Sequence, residues 1–94
     1  MSSKMKIYHE INPTFGMGGH PEFNEKNYEL VAEMQAETLD EAYMLTNHID
    51  TDWTNKRRED FTVHKKESRS TSVGDVIVKD GVAHRCEMFG WKQI

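Results

Sequence analysis

Five histidines and one cysteine give this 94-residue chain its widest chemical range. His84 and Cys86 are two apart, so on a strand both project from one face. Two ligands fall short of the three or four that zinc requires. His9, His20, His48 and His64 are dispersed, with no pair at i,i+4 helical spacing. A cysteine nucleophile needs a base within hydrogen-bond reach, and strand neighbours such as His84 touch it only loosely. No cysteine-hydrolase motif surrounds Cys86, and its apolar flanks favour a core thiol. Ser70 and Ser72 lack the glycines of a nucleophile elbow. The acid pairs Asp50/Asp52 and Glu59/Asp60 lie in polar stretches, where a solvated turn outweighs a catalytic dyad. The expectation is a protein that is not an enzyme and holds neither metal nor cofactor.

Binding chemistry is better represented. Gly16-Met17-Gly18-Gly19 follows a strand-like run and offers backbone amides to an anion. No helix opens directly after it, so it fails the dinucleotide fingerprint. Arg69-Ser70-Thr71-Ser72-Val73-Gly74-Asp75 joins a guanidinium to three hydroxyls ahead of a strand, and such a turn can hold a phosphate. The plainer reading, which we favour, is a structural turn whose hydroxyls cap backbone amides and whose Asp75 fixes the bend. Gly16, Gly18, Gly19, Arg69, Ser70 and Thr71 are thus the anion-binding candidates. Trp53 stands among Asp50, Asp52, Lys56 and Arg57. Aromatic and arginine side chains concentrate binding energy at interfaces, which makes Trp53, Arg57, Arg58 and Phe15 the partner-binding candidates. Lys56-Arg57-Arg58 with Lys65-Lys66 also forms a local basic excess on which a nucleic acid could lie, with Trp53 stacking on a base. Trp91, near the end of the chain, fits core closure better.

Composition sets the frame. The length allows one domain over 1–94, with 1–4 expected as a dispensable tail before Met5. Hydrophobic residues make up 36% and charged residues 30%, too apolar for a disordered chain. The net charge of −4 disfavours nucleic-acid binding by bulk charge. One cysteine excludes an internal disulfide and points to a reducing cytoplasm. No apolar run approaches the length of a membrane span, and none at the start resembles a signal peptide. A homodimer would add buried surface that a chain this small lacks.

The elements that must position these residues follow from periodicity. Met5 to Ile11 reads as a strand, with Ile7, His9 and Ile11 on one face and Lys6, Tyr8 and Glu10 on the other. Residues 12–21, with two prolines and three glycines, form a loop. Tyr28 to Ala36 alternates with a period near two, although its composition favours helix. Thr38 with Glu41 makes a capping box, and a cap marks a helix beginning. The reading is therefore a strand over 28–36 and a helix from Leu39 to about His48, packing Leu39, Ala42, Tyr43 and Thr46. Phe61 and Val63 suggest a short strand. Val73–Val78 and Val82–Met88 flank the Lys79-Asp80-Gly81 turn as a hairpin. The fold class expected is α+β: a small antiparallel or mixed sheet, one main helix packed on one face, and a C-terminal β-hairpin.

Four segments resemble known proteins. The run from Arg69 to Gly81, followed by Cys86-Glu87-Met88-Phe89-Gly90-Trp91, is similar to a segment of small bacteriophage and mobile-element proteins with YodL-like domains. Those run Arg-Ser-x-Ser-Val-x-Asp-Val-Ile, a turn, then a strand ending Phe-Gly-Phe or Phe-Gly-Trp. Gly74 and Trp91 stand where such sequences often carry other residues. Tyr8 to Gly16 and Leu45 to Asp50 also resemble small phage proteins. The resemblance implies a phage accessory protein expressed in a host cytoplasm and supplies no reaction. The leading expectation is a non-enzymatic protein binding a host macromolecule, with a host protein as partner. A small anionic ligand, nucleotide-like, and a nucleic acid are the two alternatives.

Overall fold

The computed structural model describes residues 3–12, 22–46, 61–64, 71–87 and 90–94. They form β1 (Ser3–Glu10), β2 (Tyr28–Ala36), α1 (Leu39–Leu45), β3 (Phe61–Val63), β4 (Val76–Lys79), β5 (Val82–Glu87) and β6 (Gly90–Gln93). The six strands make one sheet in the order β3-β2-β1-β4-β5-β6, and every pairing is antiparallel. The class is α+β with the sheet dominant and the helix short. Among the described residues no helix is long and apolar enough to cross a membrane.

β1 lies inside the sheet, paired with β2 on one side and β4 on the other, and its alternation separates a buried from an exposed face. Met5 and Ile7 are fully buried, while Lys4 and Lys6 are exposed. β2 is a strand, as the period-two alternation predicts, despite its helix-favouring composition. Pairing with β1 on one side and β3 on the other overrides local propensity. Met5 faces Met34 and Ile7 faces Ala32 across one ladder, and Ile7 faces Ile77 across the other. Met5, Ile7, Val31, Ala32, Met34, Ala36, Ala42 and Ile77 form one buried cluster, with Leu39, Leu45 and Trp91 packed against it.

Several boundaries differ from the sequence reading. β1 begins at Ser3, which pairs with Ala36, so Ser3 and Lys4 belong to the ladder instead of to a tail. It ends at Glu10, and Ile11 stands 45% exposed. α1 ends at Leu45, short of His48. Thr46 leaves helical geometry, and its hydroxyl donates back to the Ala42 carbonyl at 2.9 Å, closing the last turn. The Thr38 cap forms as expected, with Glu41 N donating to its Oγ1 at 3.0 Å. The Glu41 carboxylate accepts from Glu37 N instead of Thr38 N, one residue earlier than in a capping box. β4 starts at Val76 because residues 72–75 form a turn, closed by Asp75 N to the Ser72 carbonyl, with Gly74 at φ 98°. The hairpin turn places Asp80 at φ 51° and Gly81 at φ 81°, the left-handed pair that matches strand twist. β6 is a strand the sequence reading missed.

Candidate functional site

The pairing of β1 with β2 slips between Ile7 and Tyr8. Ile7 faces Ala32, but Tyr8 faces Leu30. Val31 is therefore the extra residue of a β-bulge. Val31 and Ala32, though adjacent, are both fully buried in the same cluster. The consequence is a change of parity within β2. Ala32, Met34 and Ala36 lie on the face of Met5 and Ile7, whereas Leu30 and Tyr28 join the face of Tyr8 and Glu10.

That change of face gathers aromatic side chains. Tyr8 and Tyr28 each meet Phe23 edge-to-face, with ring centroids 5.0 and 5.2 Å apart. Phe23 is held by the turn that opens β2. Asn24 Oδ1 accepts from the amides of Lys26 and Asn27, and its carbonyl accepts from Tyr28 N at 3.0 Å. Tyr8, Phe23, Asn24, Glu25, Tyr28 and Leu30 line a cleft of about 420 Å³, within the size range of small-molecule sites. Tyr8, Phe23 and Leu30 are half-buried, and Asn24 and Glu25 are exposed at the rim.

A buried polar network supports the cleft from behind. The Tyr28 hydroxyl donates to the Gly74 carbonyl at 3.0 Å, with Glu10 Oε1 at 3.4 Å as a second acceptor. Arg85 Nη2 donates to the same hydroxyl at 3.4 Å. Burial raises the Tyr28 phenol above its usual 10.0, against the opposing pull of Arg85. Asp75, 1% exposed, accepts from Glu10 N through Oδ1 and from Ser72 N through Oδ2, at 2.9 and 2.8 Å. Cys86 N in turn donates to the Asp75 carbonyl at 2.8 Å.

His9, Thr71 and Asp75 contain the residue types of a nucleophile, base and orienting acid. Their geometry does not match those roles. His9 Nε2 lies 2.8 Å from Thr71 Oγ1 and 3.9 Å from Asp75 Oδ2, so one ring nitrogen faces both partners. A triad divides them between the two nitrogens. Thr71 is also fully buried, so no substrate reaches its hydroxyl.

A shallower hollow of about 250 Å³ lies at the other side, among Asp40, Tyr43, Cys86 and Trp91. Trp91 Nε1 donates to Asp40 Oδ1 at 2.9 Å, and its ring meets Tyr43 edge-on at 6.2 Å. Trp91 thus ties β6 to α1, in line with core closure. Burial first, then the carboxylates of Asp75, Glu87 and Asp40, push the Cys86 thiol up to about 11. At neutral pH it is a thiol and not the nucleophilic thiolate. Among the described residues, no three His, Cys, Asp or Glu side chains gather with metal-binding geometry.

Of the residues singled out from sequence, Phe15, Gly16, Gly18, Gly19, Trp53, Arg57, Arg58, Arg69 and Ser70 lie outside the described residues. Thr71 lies inside them. Its hydroxyl meets His9 and its amide donates to the Thr46 carbonyl at 2.8 Å, so it faces the interior. Asp75 fixes the bend through Ser72 N, as the plainer reading has it. Tyr8, Phe23 and Tyr28 were not singled out as a site. The signal for Phe23 is an aromatic residue in a polar turn directly before a strand. Compared with family models, curated proteins and solved structures, the chain finds no match.

Proposed function

We propose that this chain is a non-catalytic accessory protein of the phage type, which binds a host protein in the host cytoplasm and acts by occupying it. The observation that carries this reading is the aromatic cleft on the Tyr8 face, bounded by Phe23, Tyr28 and Leu30. On this reading a partner meets the half-buried rings of Tyr8 and Phe23 with Leu30, beside the exposed Asn24 and Glu25. The polar groups beside the cleft serve one another. Asp75 holds two amides, and Tyr28 bonds Gly74 and Arg85, so the network reads as a brace for a binding surface.

The test is a pulldown from host lysate with the tagged protein, followed by mass spectrometry of retained proteins and of small molecules released by denaturation. The expected result is one stoichiometric host protein, retained by the wild type and lost by a folded Phe23→Ala variant. A released nucleotide would replace this reading with the anion-binder alternative. Retention of nucleic acid that falls steeply with salt would replace it with the third.

A further inference from the structure

We infer that the Tyr8–Phe23–Tyr28 cleft takes an organic cation, the lysine or arginine side chain of the bound partner, through the faces of its rings. The inference rests on the binding reading above and gives it a chemistry. Three aromatic rings converge on one cleft, Phe23 nearly perpendicular to both Tyr8 and Tyr28. Ring faces carry partial negative charge and attract cations, lysine and arginine side chains among them.

The charge around the cleft has the matching sign. Glu25 alone carries a charge among the residues that line it. Glu25 lines the cleft, is exposed, and makes no ion pair among the described residues. The Tyr8 hydroxyl likewise has no hydrogen-bond partner among them. Arg85, the basic group on the buried side, is directed to the Tyr28 hydroxyl. An incoming ammonium or guanidinium therefore meets ring faces and a carboxylate, whereas a phosphate would meet Glu25.

The test titrates the full chain with choline, with its uncharged isostere 3,3-dimethylbutan-1-ol, and with inorganic phosphate, followed by amide shifts in 1H–15N NMR spectra. Choline should move the amides of Tyr8, Phe23, Asn24, Glu25 and Leu30 and bind about 3- to 30-fold tighter than the isostere, the range a cation–ring contact supplies. Phe23→Leu keeps apolar bulk without a ring, so it should abolish that preference. Glu25→Gln, at an exposed position, should weaken choline several-fold and leave the isostere unchanged. Equal binding of choline and the isostere would make the cleft merely apolar and overturn the inference. No shift with choline, or shifts with phosphate instead, would overturn it as well. A host protein captured in the pulldown by a chain that ignores choline would separate the two claims, leaving the binding reading and removing this one.

Discussion

The amide of Glu10 donates to Oδ1 of Asp75 at 2.9 Å, across 65 residues of chain. The other oxygen of the same carboxylate receives Ser72 N, so one buried side chain ties the end of β1 to the turn before β4. Asp75→Ala would leave two amides without this acceptor, at a cost of about 3 kcal/mol. Asp75→Asn keeps one oxygen acceptor and should cost less. Urea unfolding curves for the two variants check the order; equal costs would mean that the single oxygen Asn keeps does not replace the carboxylate.

The register of the helix can be tested by charge. Ala42 is fully buried and Met44 is 69% exposed. Ala42→Glu should unfold the domain or lower its midpoint sharply, whereas Met44→Glu should stay within about 0.5 kcal/mol of wild type. Thr38→Ala removes the oxygen that accepts Glu41 N and should cost about 1 kcal/mol. Thermal melts by circular dichroism report all three.

Cys86 is the only cysteine, and its thiol is pushed up to about 11. Alkylation by iodoacetamide at pH 7.5 should therefore be far slower in the native protein than in urea, where the thiol returns to its usual range near about 8.5. Rapid native alkylation would contradict the burial at this position.

Acid should act on the β1–β2–β3 side of the sheet. Glu33 pairs with His64 at 2.7 Å and with Lys4 at 3.5 Å, and the His64 hydrogen bond holds its carboxyl below the usual 4.5. A depressed carboxylate contributes stability above its unfolded value, and that stability fades as pH falls through the folded value. Glu33→Gln should flatten the stability profile below about pH 4.5 and change little at pH 7, because the pair is partly exposed. A mutant profile that still falls as steeply as wild type between pH 5 and 3 would assign the acid response to other groups.

At the alkaline end the sign reverses. Tyr28 is raised by burial, so its neutral form belongs to the folded state. Stability from this group is complete below the unfolded value of 10.0 and is lost as pH rises from there through the folded value. Tyr28→Phe should remove that alkaline loss and cost about 1–2 kcal/mol at pH 7, since Gly74 O and Arg85 each lose a partner. Chemical denaturation at pH 7 and pH 11 compares the two.

The alternation of Tyr28–Ala36 was legible and gave a strand against its own helical composition. What it could not carry was the bulge at Val31. Read alone, Tyr28, Leu30, Ala32 and Met34 form one continuous face. The slip that splits them arises from pairing with β1, and no local pattern announces it. The cleft was hidden for the same reason, since Tyr8 and Tyr28 become neighbours of Phe23 only through that register. β6 was hidden because Gly90-Trp91-Lys92-Gln93 has no alternation; β5 makes it a strand by lending hydrogen bonds. The helix start was legible at Thr38, a local signal, while its end depended on Thr46 turning its hydroxyl back. Most of the residues proposed for binding from composition fall outside the described residues, so the cleft was reached from the fold.

β1 receives β2 early in the chain, but its second neighbour, β4, begins at residue 76. The sheet therefore consists of two locally assembled halves, β3-β2-β1 and β4-β5-β6, joined along a single seam. The bonds from Glu10 to Asp75, His9 to Thr71 and Tyr28 to Gly74 all cross from the first half to the second. Closing that seam carries the loop-closure entropy of a long sequence separation, which favours its forming late in folding. The brace behind the cleft is thus completed late, and the binding surface matures only when the two halves have met.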